Sequence, residues 1–300
     1  MTNEYPGHRS LFKYASPDAA LATLTNRTVR YSSPLKFNDP FDIQTGLHFD
    51  FDPQELHGKF VDYLDAFARS SVAPKVDEKD PWGEMALQFR NSYPTQGFDK
   101  HRWQKLTAEV FNKELLPIIK TTQVEYSTYW KNALPGMRVF CISEERDNLL
   151  MWAHYAKDHT GVVFEFLSLP EIDNTLSISQ KVKYSISPPT FFTEQEWLDD
   201  LLTIKRFNPL DLRNRFILNK SKEWEYEKEW RIWYPNSITE DGHDYIPINQ
   251  QELSKIFIGC KAEKKFKEDI TTLAREAFPN IQIYQASART DKYSLEYREI

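Results

Sequence analysis

Residues 223–233 read EWEYEKEWRIW, and this stretch does most to determine the expected fold. Its aromatic and β-branched content predicts a strand over residues 224–234, the strongest in the chain. The side chains of a strand alternate between its two faces. One face would carry Glu223, Glu225, Glu227, Glu229 and Arg231, and the other Trp224, Tyr226, Lys228, Trp230 and Ile232.

The row of carboxylates on that strand has two interpretations. The simpler one is a half-exposed strand with its acidic face in water. However, same-face neighbours are only about 7 Å apart, so the row repels itself unless a cation or ligand covers it. Glu227 and Glu229 could instead bind sugar hydroxyls and stabilise an oxocarbenium-like transition state. If Glu229 faces a cleft, Glu229→Gln should leave stability unchanged or raise it, whereas a marked loss would identify a partner of a buried arginine.

The elements outside this stretch alternate between strands and helices. Further strands are predicted at 11–14, 28–32, 137–143, 162–167, 182–185, 256–259 and 281–284. Helices are predicted at 19–24 after an N-cap at Ser16, at 54–70, at 100–116 up to Pro117, at 148–156 after an N-cap at Asp147, at 194–220 with an interruption at Pro209, and at 265–278. Residues 74–94 are predicted to be a polar connection.

This order predicts an α+β fold with a largely antiparallel split sheet and a helical insert. We expect a single domain over residues 1–300. The mainly helical insert is expected at about 53–135, with a second helical segment at about 192–220.

Composition and charge exclude several classes of protein. The chain has 300 residues and a net charge of −6, so nucleic-acid binding is not indicated by charge overall, although a local basic groove stays compatible with it. The two cysteines, Cys141 and Cys260, are too few for a disulfide framework, which favours a reducing cytoplasm. Neither a membrane span nor a signal peptide is predicted. The nine glycines are at least 12 positions apart, so no glycine-rich phosphate loop can be written.

The segment from Cys141 to Tyr155 joins a strand end to a short helix. Ser143 lies at the strand end, and Trp152 and Tyr155 lie on the helix at a spacing that also fits core packing. His154 and His159 are five residues apart, which is not the spacing of a helical zinc pair, and no metal is expected.

Two other segments have mainly structural interpretations. Residues 37–42, FNDPFD, are first a turn, since Asn and Asp bond their own backbone and proline restricts its neighbour. The triplet Glu263-Lys264-Lys265 is the only Glu-x-Lys of the kind found in metal-dependent nucleases, and it lies in a charged helical stretch.

These segments together resemble a largely bacterial family, the domain of unknown function 2971. The resembling segments are Leu11-Phe-Lys-Tyr14, Ser33-Pro34 through Asn38-Asp-Pro-Phe41, Cys141 to Tyr155 with Gly161, and Glu227-Lys-Glu-Trp-Arg231. The resemblance covers most of the chain in the right order, and it implies no established activity.

The order of the segments also looks like an ADP-ribosyltransferase core. In that fold a first strand ends in His or Arg, a later strand ends at Tyr or Ser before a helix with a further Tyr, and a late strand carries the catalytic Glu. Here Lys13 and Tyr14 take the first place, Ser143 and Tyr155 the second, and Glu229 the third, with Glu227-x-Glu229 similar to the paired glutamates of the arginine- or toxin-type branch. The first strand therefore departs from the pattern of that fold.

This second resemblance implies an activity and a site. Glu229, with Glu227, would hold the nicotinamide ribose of NAD and stabilise positive charge. Tyr14 or Tyr155 would stack on nicotinamide, Ser143 would position the ribose or a glutamate, Lys13 would meet a phosphate, and Trp152 completes the predicted cofactor-binding set. The implied function is ADP-ribosyl transfer to a macromolecule, or NAD hydrolysis, in a bacterial defence or toxin context.

Two alternatives stay open. A non-catalytic module that binds a protein or a nucleic acid would have a flat surface at Glu229 instead of a cleft. A metal-dependent nuclease would bring acids from two strands to one point.

Overall fold

A computed structural model describes residues 9–93, 99–169 and 174–300. The chain divides into two compact units. The first, called the sheet unit, comprises Met1–Gln44, Ala133–Ile186 and Lys220–Ile300, and the second, the helical unit, comprises Thr45–Asn132 and Ser187–Asn219. The helical segments predicted at 53–135 and 192–220 lie mostly within the helical unit.

The strands are numbered in chain order. They are β1 (Arg9–Ala15), β2 (Thr28–Ser32), β3 (His48–Phe49), β4 (Arg138–Ser143), β5 (Val162–Ser168), β6 (Gln180–Lys181), β7 (Lys183–Ser185), β8 (Thr190–Phe192), β9 (Asn219–Ser221), β10 (Glu229–Tyr234), β11 (His243–Pro247), β12 (Leu253–Ile258), β13 (Gln282–Ala288) and β14 (Leu295–Glu299). The main sheet runs β11-β2-β4-β1-β5-β12-β13-β14, and β10 pairs with β4 and β6. In this sheet the pairings are antiparallel except between β12 and β13, so the predicted α+β class with a largely antiparallel sheet is confirmed.

The helices follow the same numbering. They are α1 (Pro17–Asn26), α2 (Leu56–Arg69), α3 (Pro81–Asn91), α4 (Lys100–Val110), α5 (Leu116–Ala133), α6 (Leu149–His154), α7 (Glu194–Leu201), α8 (Pro209–Ile217) and α9 (Lys264–Ala277). The predicted cap of α1 is confirmed, because the Ser16 side chain accepts a hydrogen bond from the amide of Ala19. None of the helices in the described residues is both long and apolar enough to cross a membrane.

The main sheet opens between β1 and β4. All seven residues of β1 pair with β5, from Arg9↔Ser168 to Ala15↔Val162, but β1 and β4 pair only at Phe12↔Ser143. The whole length of β4 is paired with β10 on its other side, from Glu229↔Ser143 to Tyr234↔Arg138. The two strands therefore meet at one point and leave a gap in the sheet beside it.

The core of the sheet unit lies between the sheet and the helices α1 and α9. Buried residues of the two helices and of the strands belong to one apolar cluster, which includes Leu11, Ala20, Leu24, Phe164, Ile256, Ile270 and Ala274. Tyr31 stacks on Phe140 with ring centroids 5.0 Å apart, which joins β2 to β4. Along β1 the side chains of Leu11, Lys13 and Ala15 share one face, on which Leu11 and Ala15 belong to this core, and Phe12 and Tyr14 lie on the opposite face.

The strand predicted over residues 224–234 is wrong in its first half. Lys222–Glu227 forms a 3-10 helix, Lys228 has a left-handed backbone with φ of 44°, and the strand begins only at Glu229. The alternation of faces therefore does not extend back from Glu229 to Glu223. The interpretation of a solvated acidic face is also wrong for Glu227 and Glu229, which are buried.

Three other element predictions need correction. Asn148, and not Asp147, caps α6, because its side-chain oxygen accepts the amides of Leu150 and Met151 at 3.0 and 3.1 Å. The polar connection contains α3, which begins at Pro81. The helix does not end near Pro117, because a π-helical turn at Phe111–Leu115 leads directly into α5. Pro117 lies just after this π-helical turn, where the regular α-helical hydrogen-bond pattern is already interrupted.

A left-handed turn follows α6, and it yields a prediction about stability. Lys157, Asp158 and His159 have φ of 48°, 54° and 66°. Such a backbone costs an L-residue roughly 1–2 kcal/mol, and glycine avoids that cost while losing more chain entropy on folding. Lys157 is exposed, so we expect Lys157→Gly to raise the free energy of unfolding by about 0.5–1 kcal/mol in urea titrations. Lys157→Ala is the matched control, and an equal gain in both variants would contradict the explanation.

Candidate active site

A cavity of about 560 Å³ lies in the sheet unit beside the gap between β1 and β4. Six of the seven predicted site residues line it: Lys13, Tyr14, Ser143, Tyr155, Glu227 and Glu229. Trp152 is absent from the lining. It is fully buried, donates its indole N–H to the carbonyl of Arg146 at 3.0 Å, and packs edge-on against Tyr14. Its described contacts are those of a core residue.

Ser143 lies at the one point where β1 and β4 meet. Its hydroxyl donates to the carbonyl of Glu227 at 2.6 Å and accepts the amide of Glu145 at 2.9 Å. Because both bonds are to backbone, Ser143 joins the end of β4 to the segment that carries Glu227. Ser143 therefore fixes the backbone at Glu227, and its predicted role toward the ribose or a glutamate stays a prediction.

The two predicted residues of β1 are also held by backbone groups. Lys13 donates from Nζ to the carbonyl of Cys141 at 2.7 Å, and burial lowers its pKa. The hydroxyl of Tyr14 donates to the carbonyl of Glu145 at 2.9 Å, and burial raises its pKa. Both contacts link β1 to β4 and the residues after it, across the gap in the sheet.

A buried network of charged groups forms one side of the cavity. Arg231 binds Asp42 through Nη1 and Nη2 at 2.9 and 2.6 Å, and it binds Glu229 through Nε and Nη2 at 2.8 and 3.0 Å. Lys220 donates to Glu229 at 3.0 Å and to Glu227 at 2.5 Å. Arg231 is fully buried, and the other four members are at most 8% exposed. Each buried charge therefore has a partner of opposite sign, as burial requires.

Glu229 is the carboxylate of this network that accepts the most hydrogen bonds. Besides the two bonds from Arg231 and the one from Lys220, the Cys141 side chain hydrogen-bonds to it. Burial by itself would raise the pKa of Glu229, but Arg231 and Lys220 outweigh burial and hold it well below its ordinary value. A carboxylate has about four lone-pair directions, so little capacity is left for a ligand. Glu229 is an ion-pair partner of a buried arginine.

Glu227 lies in a different environment, although it is only two residues away. Its Oε2 accepts Lys220 and its Oε1 accepts the hydroxyl of Tyr155 at 2.5 Å. Burial raises its pKa, in contrast to that of Glu229. With two strong donors, this carboxylate keeps accepting capacity on the side of the cavity. The two glutamates therefore differ in protonation behaviour, as acid–base residues in active sites often do.

Sequence reasoning missed Asp42 and Lys220. Asp42 belonged to a segment interpreted as a turn, and that turn is present, since the Asp39 side chain accepts the amide of Phe41 at 2.8 Å. Lys220 lay at the end of a predicted helix but is on β9, which pairs with β7. The one signal in the sequence was the crowded row of glutamates, which predicted a cation or a ligand over it.

The geometry required for a metal-dependent nuclease is not found in the described residues. They contain no group of three or more His, Cys, Asp or Glu side chains placed to hold a metal ion. The acids that do converge, Asp42, Glu227 and Glu229, have Lys220 and Arg231 between them. Glu263 and Lys264 lie at the start of α9.

Comparison with known proteins bears on part of the site. No curated protein and no solved structure matches the chain. Residues 151–232 match the model of a family described as protein of unknown function, DUF2971. The matched segment includes Tyr155, Lys220, Glu227 and Glu229, and over this segment the predicted resemblance to the DUF2971 family is supported.

Proposed function

We propose that this protein cleaves the nicotinamide–ribose bond of NAD and transfers ADP-ribose to a macromolecule or to water. The observation that carries the proposal is the pair of Glu227 and Tyr155, joined by a 2.5 Å hydrogen bond on the lining of a cavity of about 560 Å³. That volume is within the range of pockets that enclose small ligands. We also propose the cytoplasm as its compartment, consistent with the two free cysteines.

The reacting carboxylate in this proposal is Glu227, not Glu229. As the C1′–N1 bond breaks, nicotinamide leaves with the electron pair and positive charge develops on the ribose. The ionised Glu227 is placed to stabilise that charge and to accept the proton of the attacking hydroxyl or water. Tyr155 and Lys220 orient this carboxylate by hydrogen bonds to its two oxygens. Glu229 and Arg231 hold Lys220 in place.

The cavity is also the feature that separates this proposal from its alternative. A non-catalytic binding module predicts a flat surface at Glu229, whereas Glu227 and Glu229 both line a cavity. A buried carboxylate with a raised pKa in a cavity is typical of an acid–base residue, although such groups also occur in structural networks.

Nicotinamide release from NAD tests the proposal directly. We expect the purified wild-type protein to release nicotinamide from millimolar NAD, and Glu227→Gln to reduce the rate about 100- to 1,000-fold because it removes the ionised group. Glu225→Gln is the matched control, since Glu225 lies in the same 3-10 helix and is exposed. Transfer to a macromolecule is measured with labelled NAD in a bacterial extract.

The pH dependence of that rate identifies the group. Because burial raises the pKa of Glu227 and the ionised form is the reactive one, the wild-type rate should rise with pH through this raised pKa. This acidic limb should be missing from the residual activity of Glu227→Gln. Absence of nicotinamide release by the wild type, or full activity of a folded Glu227→Gln variant, would refute the proposed function.

A further inference from the structure

Two neighbouring strands turn polar and aromatic side chains toward the cavity. In the register of β2 and β11, Arg30 is opposite Tyr245 and Ser32 is opposite His243. Residues two apart on a strand share a face, so these four side chains lie together, and all four line the cavity. Tyr31, between Arg30 and Ser32, is turned into the core.

Two lysines complete this region. Lys36 lines the cavity, and its Cε would be 3.1 Å from a Cβ placed on Gly242, so its side chain lies against the turn before β11. Lys13 enters from β1 and also lines the cavity. The cationic wall is defined here as Lys13, Arg30 and Lys36, together with His243 and Tyr245.

In the described residues, no acid forms a close ion pair with the lysines and the arginine of this wall. In residues 9–93, 99–169 and 174–300, no carboxylate lies within 4.0 Å of the charged nitrogens of Lys13, Arg30 or Lys36. Asp42, Glu227 and Glu229 are acids that line the cavity, and they are paired with Lys220 and Arg231. The wall therefore carries excess positive charge in a protein whose net charge is −6.

The groups of the wall also repel one another. Burial lowers the pKa of Lys13 and the nearby Arg30 acts in the same direction, while Cys141, Glu229 and Glu227 act against them. Burial likewise lowers the pKa of His243, with Arg30 and Lys36 acting in the same direction and Asp241 acting against them. Like charges gathered on one side of a cavity disfavour the empty site and favour an anion.

We infer that the cationic wall is a phosphate-binding subsite for a nucleotide ligand, with Tyr245 as the surface on which the base stacks. Tyr245 is 55% exposed and is opposite Arg30 in the strand register, so an aromatic side chain and a guanidinium that can bind phosphate are neighbours. Arginine binds phosphate oxygens in a bidentate manner, and an aromatic side chain stacks on any base. This inference rests on the proposed function and extends it, since it assigns a binding site to the phosphates of NAD.

Calorimetric titration with ADP tests this subsite separately from the reaction, because ADP lacks the nicotinamide–ribose bond that the proposed reaction breaks. We expect wild type to bind ADP at least 10-fold more tightly than adenosine, with an affinity that falls as salt is added. The double variant Arg30→Gln/Lys36→Gln should lose at least 10-fold in ADP affinity and bind adenosine unchanged. Tyr245→Ala should weaken both ligands. Lys292→Gln is the matched control, since it removes an exposed positive charge that does not line the cavity.

Two results would overturn the subsite: equal wild-type affinities for ADP and adenosine, including no binding of either at millimolar concentration, or unchanged ADP affinity in a double variant that unfolds at the wild-type temperature. Failure here is distinguishable from failure of the proposed function. If ADP binds as expected but NAD is not cleaved, the subsite stands and the proposed function fails. If NAD is cleaved but the double variant binds ADP normally, only the subsite fails.

Discussion

Replacing Glu229 with Gln is expected to lower the free energy of unfolding by about 3–5 kcal/mol, the usual cost of removing one partner from a buried ion pair. Arg231 would lose its charged acceptor, and the amide NH₂ of the new side chain would face Arg231 or Lys220, which are themselves donors. This reverses the expectation from sequence for a cleft-facing glutamate. The measurement is urea unfolding at pH 7, followed by fluorescence.

The pH dependence of this loss has a definite sign. The folded-state pKa of Glu229 is depressed, so its contribution is fully present above the pKa of an unfolded glutamate and is lost as the pH falls through that value toward the folded pKa. The difference between wild type and Glu229→Gln should therefore shrink in acid. Glu225→Gln is the control at an exposed position and should unfold like wild type. If Glu229→Gln is as stable as wild type, Glu229 is not a structural ion-pair partner, and it becomes the candidate for the reacting carboxylate again.

Gly161→Ala is the second change with a large expected effect. A Cβ on Gly161 would lie 2.1 Å from the carbonyl oxygen of Ala15 and 3.1 Å from that of Ala156. Both carbonyl oxygens belong to the backbone, and Ala15 is the last residue of β1, which pairs with β5 over its whole length. The clash can therefore be removed only if β1 or the turn before β5 moves. We expect a loss of about 3 kcal/mol, at the upper end of the usual overpacking cost. Thermal unfolding with calorimetry measures it.

The same substitution elsewhere is a matched control with the opposite sign. Gly58 lies inside α2, and the nearest atom to its Cβ would be a side-chain nitrogen at 3.4 Å. Gly58→Ala should therefore raise the free energy of unfolding by up to about 1 kcal/mol through helix propensity. A Gly161→Ala variant as stable as wild type would mean that β1 can shift at little cost.

Local patterns were sufficient to predict most elements of the sheet unit. β2 was predicted with its observed bounds, and the apolar runs of β1 and β5 were found because a buried strand is marked by its own side chains. The helix start at Ser16 follows from hydrogen bonds within one turn. A strand was predicted in place of the 3-10 helix before Glu229, because that helix and the left-handed residue after it, Lys228, are not indicated by any proline or glycine.

For the site as well, part could be predicted from the sequence and part was decided only by the tertiary structure. The sequence predicted candidate site residues along β1, β4 and the 227–231 segment, and it predicted that the crowded glutamates need a cation or a ligand. The predicted crowding along one strand is wrong for Glu227, which precedes the strand. Only the tertiary structure decided that Arg231 and Lys220 are those cations and that Asp42 joins them. It also separated Glu229, held by two cations, from Glu227, whose pKa burial raises. A pKa depends on burial and on charges brought together from distant parts of the chain, which no local pattern contains.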